Sequence, residues 1–333
     1  MKRNLKKIFG LTLAAAVMLS GCGQSSSGAS SGSSVSGSGK KLLMTVSDGS
    51  DTFRATLAQA AQDTASQIGA TLEVADAQGS IEAQVQQIRT AQEQGYDAVL
   101  CCPVDTDTAV QLEESAGDIP IVFMNSCPDD KRLEADKYMF VGSDELVAGT
   151  FQAEYALEKL SAKNEINVLI FKGEKNHSAT KGRTEAVKNT FADSGKNVNI
   201  VFEDYADWST DKAADMFKIF LSLGVPYDCV ICNNDSMALG IIAACRDEGI
   251  DPSSFPVMGV DATADGCAAI ADGDMAFTVY QSAAGQGEAG VMVAVALAGG
   301  QSASASGFDV SDDGKYVWVP FERVDASNVW EYQ

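Results

Sequence analysis

The sequence predicts an α/β protein of two lobes, each built on parallel strands joined by crossover helices. Short apolar runs alternate with helical-period segments from residue 41 onward, the pattern of strands linked through helices. The chain has 333 residues, beyond the roughly 250–300 at which a single hydrophobic core stops growing. Hydrophobic residues make up 45% and charged residues 21%, as in an ordinary soluble globular protein, so neither a disordered body nor a membrane-embedded one is expected.

Strands are expected at 42–46 (LLMTV), 71–75 (TLEVA), 97–101 (DAVLC), 119–124 (IPIVFM) and 138–141 (YMFV). They continue at 166–171 (INVLIF), 198–202 (VNIVF), 227–232 (YDCVIC), 255–260 (FPVMGV), 276–280 (AFTVY) and 315–321 (KYVWVPF). Between the first of them, Phe53, Leu57, Ala60, Thr64 and Ile68 recur at helical spacing and mark one buried face. Ile81, Val85 and Ile88 mark a second.

The formal charge is −22, and no run of Lys or Arg lies outside the first seven residues, so the phosphate-neutralising footprint of a nucleic-acid partner is missing. Those first residues (Lys2, Arg3, Lys6, Lys7) precede an apolar run over 8–19 that is too short to span a bilayer, which reads as an export signal. Leu19, Ser20, Gly21 and Cys22 then resemble the lipobox of bacterial lipoproteins. That resemblance implies cleavage after residue 21, lipid on Cys22, and an extracytoplasmic protein anchored to the cell membrane. Removing residues 1–21 takes four positive charges and no negative ones, leaving −26. Residues 22–40 form the anchor and a Ser/Gly linker whose composition cannot fold and reaches on the order of 20–25 Å.

Seven cysteines follow Cys22 without a spaced framework. Cys101 and Cys102 adjoin within one apolar run and Cys229 and Cys232 within another, so they are expected as small core residues rather than disulfide or redox partners. Walker, GxGxxG, HExxH, zinc and GxSxG patterns are all missing and a single histidine narrows acid/base chemistry, which removes the commonest α/β enzyme classes and indicates no cofactor; an exported thiol or hydrolytic enzyme using Cys232, or His177 with Asp235, is the rival from another class. Polar residues instead recur where strands end: Ser47 and Asp48, Asn125, Lys172 and Gly173, Asn233 to Asp235, Asp261, and Gln281. Ligands of open parallel sheets bind outside the carboxyl ends of the strands. Six such ends in register favour a ligand crevice over a set of simple helix caps, the ordinary role of such residues.

The stretches IVFMNSCP, MFVGSDELVAG, GEKNHSATKGRTEAV, ADWSTDKAADM, VICNNDSMALG, FPVMGVDA and YVWVPFERVD together resemble the periplasmic sugar-binding proteins of ABC transporters, most of all their glucose/galactose-binding members. The resemblance runs from about residue 41 to 333. It implies two doubly wound, Rossmann-like lobes joined by a three-strand hinge, the type I periplasmic binding protein fold. One lobe would comprise 41–143 plus 281–315, the other 144–280 plus 316–333. It also implies ligand contacts from Asp51, Phe53, Asn125, His177, Arg183, Trp208, Asn234, Asp261 and Gln281. The chemistry agrees: a pyranose offers a C–H face to an aromatic ring and hydroxyls to carboxylates, amides and a guanidinium.

Three positions depart from the glucose/galactose pattern: Ser47 for a tyrosine, Ser126 for a lysine, and Ala179 for a ligand-binding aspartate. SAKNEIN replaces its calcium loop, so no structural metal is expected. The reading is a non-catalytic, monomeric protein that captures a monosaccharide, such as galactose or glucose, and delivers it to an ABC transporter permease. A receptor subunit presenting a sugar or furanosyl signal to a membrane kinase or chemoreceptor is the alternative. Micromolar capture of a hexose needs about −8 kcal/mol over about twelve heavy atoms, within the ceiling for small ligands.

Overall fold

A computed structural model describes residues 35–333; the export segment and Cys22 lie outside the described residues. The linker expected up to residue 40 ends sooner, because Val35 already packs against the first core and Lys40 Nζ donates to the Ala298 carbonyl at 2.8 Å.

The first sheet starts with β1 (Lys41–Val46), flanked by β2 (Thr71–Asp76) and β3 (Ala98–Cys101). Beyond β3 lie β4 (Ile121–Met124), β5 (Tyr138–Gly142) and finally β11 (Tyr316–Trp318), all parallel. Successive strand residues face opposite sides, and both sides are covered. Leu42, Met44, Leu100 and Val122 face a core shared with α1 (Thr52–Gln67) and α9 (Ala283–Ala298). Leu43, Val99, Ile121 and Phe123 face α2 (Ile81–Glu93) and α3 (Ala109–Ala116).

The second sheet repeats the plan, with strand order β12, β10, β9, β8, β6, β7 against β11, β5, β4, β3, β1, β2 in the first. Its parallel strands are β6 (Glu165–Lys172), β7 (Asn197–Tyr205), β8 (Cys229–Cys232), β9 (Val257–Met258) and β10 (Phe277–Gln281). Antiparallel β12 (Phe321–Asp325) closes its edge. One face is packed by α4 (Glu145–Lys159) and α5 (Ser178–Asp193), the other by α6 (Thr210–Ser222), α7 (Asp235–Asp247) and α8 (Ala264–Asp272). Each sheet therefore reverses its winding between its first and third strands, the switch point where an α/β sheet opens a crevice.

Three segments connect the lobes: β5 into α4, β10 into α9, and β11 into β12. The first is held by a buried bond from Gln286 Nε2 to Ser143 Oγ at 3.0 Å. The single strand expected over 315–321 is two strands in two sheets. Val319 gives the first sheet its last bond there, to the Gly142 carbonyl at 2.8 Å, and Pro320 has no N–H with which to continue a ladder. The crossing expected at 315 consequently falls after Trp318.

The buried face of α1 keeps Phe53 and Leu57 of the expected stripe but turns to Ala58, Ala61 and Ala65, leaving Ala60, Thr64 and Ile68 half-buried. The cause is α9, which approaches so closely that a Cβ at Gly287 would stand 2.8 Å from the Ala61 nitrogen. Small residues are needed on both sides of such a contact. All seven cysteines that follow Cys22 are free, and six are buried in the cores.

Candidate functional site

All residues assigned by resemblance to the ligand line one cavity between the lobes: Asp51, Phe53, Asn125, His177, Arg183, Trp208, Asn234, Asp261 and Gln281, joined by Arg54 and Ala179. The first lobe contributes the opening of α1 and the end of β4. Asp51 caps α1, its Oδ1 accepting from the Arg54 amide at 2.9 Å, and Phe53 and Arg54 follow in the first turn. Asn125 follows β4 with φ of 62°, a left-handed conformation that Asn tolerates better than most residues.

From the second lobe come His177 before α5, Trp208 before α6, Asn234 before α7, Asp261 after β9 and Gln281 at the end of β10. His177 and Asn234 are also caps: His177 Nδ1 accepts from the Ala179 amide at 3.2 Å, and Asn234 Oδ1 from the Met237 amide at 3.0 Å. Capping a helix and lining the cavity are thus not alternatives here. Asp51 and Asn234 each spend one oxygen on the helix and keep a second polar atom for the cavity, while the second ring nitrogen of His177 bonds Asn125. Trp208 and Asp261 hold φ of 62° and 120°, so backbone strain is concentrated at the cavity wall.

His177 Nδ1 accepts a backbone N–H, so the neutral ring carries its proton on Nε2, which donates to Asn125 Oδ1 at 3.2 Å. Arg54 Nε donates to the same oxygen at 3.2 Å. With Oδ1 occupied twice, the Asn125 amide nitrogen is left to donate into the cavity.

Arg183, 3% exposed, donates to Glu145 Oε2 at 2.6 Å, the Asn233 carbonyl at 2.6 Å and Gln281 Oε1 at 2.9 Å. Its Nη1 lies 3.9 Å from Asp261 Oδ1. Burial pushes the Asp261 carboxyl well above the usual carboxylate range; Arg183 opposes this, while Asp235, Asp51 and Glu145 reinforce it.

The Trp208 ring lies against Gly173: a Cβ there would fall 2.0 Å from the ring. His177 meets the indole edge-on, centroids 5.1 Å apart, and the Arg183 guanidinium stands 6.0 Å from its centroid. Gly173→Ala is therefore expected to displace the indole and weaken ligand binding by at least about tenfold, with little change in the α/β core. Tryptophan fluorescence and calorimetry on the variant check this; an unshifted spectrum with unchanged affinity would contradict it.

Burial, reinforced by Arg54, Arg183 and Lys181, holds the His177 pKa well below its ordinary 6.5. The folded state therefore binds this proton more weakly than the unfolded chain. Above pH 6.5 the group contributes no pH dependence; as pH falls below 6.5, stability declines by up to about 1.4 kcal/mol per unit until the folded pKa is reached. Denaturant titrations of the wild type and His177→Asn at pH 7.5 and 5 should show the wild type losing more on acidification, because Asn can cap α5 without titrating.

Other polar strand ends do not line the cavity. Asp48 lies on an outer groove, and Lys172 pairs with Glu203 at 2.9 Å. Asp235, buried behind Asp261, accepts from Thr278 Oγ1 at 2.6 Å and the Thr263 amide at 2.8 Å. Burial raises its pKa to about 7. It makes no hydrogen bond with His177, so the two form no catalytic dyad. Cys232 is fully buried, and burial drives its thiol pKa well up, away from nucleophilic use. Arg54 carries no sequence signal beyond adjacency to Phe53.

Two lobes of one topology, a hinge of three crossings and a polar cavity between strand ends make the arrangement of a solute-binding protein. Residues 42–302 match the family described as periplasmic binding protein domain, and the chain belongs to that family. It is 33% identical over 268 residues to a protein of Rhizobium meliloti named for rhizopine binding, covering 80% of this chain and 83% of that one. It is 28% identical over 272 residues to the D-galactose/methyl-galactoside binding periplasmic protein of Haemophilus influenzae, covering 77% and 80%. Among solved structures, an ABC transporter solute binding protein from Bacillus halodurans C-125 with bound myo-inositol superposes with a TM-score of 0.78 at 29% identity, covering 89% and 98%.

Proposed function

We propose that this chain captures one six-membered cyclic polyol between its lobes, a hexopyranose of the galactose or glucose type or a cyclitol of that size, and delivers it to an ABC transporter permease. The observation that carries the reading is the convergence on one cavity of two aromatic rings from opposite lobes, Phe53 and Trp208, with carboxylates, amides and a guanidinium from separate strand ends. The galactose-binding and myo-inositol-bound relatives support the same ligand class.

The departures from the glucose/galactose pattern bear on which polyol it is. Ala179 presents no hydrogen-bonding group to the cavity. Ser126 is taken up in a clasp across the cleft, its Oγ accepting from the Ser178 amide at 3.2 Å while the Cys127 amide donates to Ser178 Oγ at 2.8 Å. Calorimetric titration with galactose, glucose, ribose and myo-inositol tests the proposal. One of them should bind one-to-one at micromolar Kd or tighter; heat from none would count against it. Lipid on Cys22 would hold the protein at the membrane, and Cys22→Ser is expected to release it from the membrane fraction, as immunoblotting of fractions would show.

A further inference from the structure

Arg54 is the cavity residue that the sequence does not flag. Its side chain is 3% exposed, it stands in the first turn of α1, and it joins groups from both lobes. Nε donates to Asn125 Oδ1 in its own lobe at 3.2 Å, and Nη2 donates to Glu174 Oε2 in the second lobe at 3.0 Å. A guanidinium has five N–H donors, so three are left without a protein acceptor among the described residues. Arg54 lines both the cavity and the outer groove, and a ligand in the cavity would offer these donors oxygens to donate to. Arg183 differs, because three of its donors are already taken by Glu145, Asn233 and Gln281.

The bond to Glu174 can exist only while the lobes are together. Arg54 also borders the outer groove along with Asp48, Glu174 and Asp207, so the ion pair stands between that groove and the cavity.

We infer that Arg54 is a ligand-contacting, specificity-determining residue that donates to ring hydroxyl oxygens and, through Glu174, bolts the two lobes over the bound ring. The inference rests on the cyclic-polyol reading above. Glu174 is a positioning residue in this arrangement: it holds the fork and makes closure favourable. A lysine at 54 would keep the charge but not the planar fork that serves Asn125, Glu174 and the ligand at once.

The test pairs ligand deletions with protein deletions. Wild type, Arg54→Met, Arg54→Lys and Glu174→Gln are titrated by calorimetry with D-galactose, myo-inositol and the monodeoxy derivatives of whichever binds. At one ring position the wild type should lose on the order of 10- to 100-fold on deoxygenation, whereas Arg54→Met should lose nothing there and start from correspondingly weaker binding. Glu174→Gln should weaken every ligand by the same factor, up to about fivefold, because its partial exposure limits the pair. If Arg54→Met fails to fold by thermal melting, Arg54→Lys gives the same comparison with the charge retained. A deoxy pattern indifferent to residue 54 in a wild type that binds would overturn this inference alone. A wild type that binds no polyol removes both readings together.

Discussion

Replacing Arg183 by methionine is expected to cost the fold about 3–5 kcal/mol and to abolish ligand binding. The guanidinium is buried and answers Glu145 Oε2 at 2.6 Å, so its loss leaves a carboxylate, itself about 10% exposed, without a partner in a low-dielectric interior. Burial already pushes the Glu145 pKa upward, with Arg183 opposing the shift, so the variant would have to protonate Glu145 or admit water to it. The Asn233 carbonyl and Gln281 Oε1 lose their donor in the same step. Urea denaturation measures the cost. Adding Glu145→Gln to Arg183→Met should recover part of it, since removing both charges is less harmful than stranding one. A single variant within about 1 kcal/mol of the wild type would contradict this account of the network.

Trp208→Ala should leave a folded protein that binds its ligand roughly 30- to 150-fold more weakly, corresponding to about 2–3 kcal/mol for an aromatic face removed from a sugar's C–H surface. The indole is positioned with care: it sits against Gly173, meets His177 edge-on and follows Asp207, with both Asp207 and Trp208 at positive φ. Those constraints pre-orient the ring, so its contribution is not diminished by ordering on binding. Trp208→Phe should retain most of the affinity. Titration of the two variants with the ligand of the wild type checks both expectations, and equal affinity in wild type and Trp208→Ala would remove the ring from the site.

The strand ends were legible because a buried parallel strand is a continuous apolar run, and the first polar residue after it marks the carboxyl edge where ligands bind. Asn125 after IVFM and Gln281 closing FTVYQ follow this rule. The rule did not separate cavity from second layer: Asn233 and Asn234 are adjacent, yet Asn234 lines the cavity while Asn233 Oδ1 accepts from the Gly173 amide at 3.1 Å. Arg54 was illegible for a different reason. Its burial depends on Asn125, 71 residues away, and Glu174, 120 residues away, and neither contact leaves a mark at position 54. The break at Pro320 was in plain view, but an apolar run on both sides of it reads as one strand when the two sheets are not yet in place.

In the proposed function the two lobes close on one cyclic polyol, with Phe53 and Trp208 supplied from opposite sides of the cavity. The most direct test is a crystal structure of the protein grown with the tightest-binding polyol of the calorimetric panel. Density for a single ring is expected between Phe53 and Trp208, within hydrogen-bonding reach of Asn125, Arg183 and Asp261. A ring seated elsewhere, or lobes that remain apart with those side chains facing solvent, would contradict it.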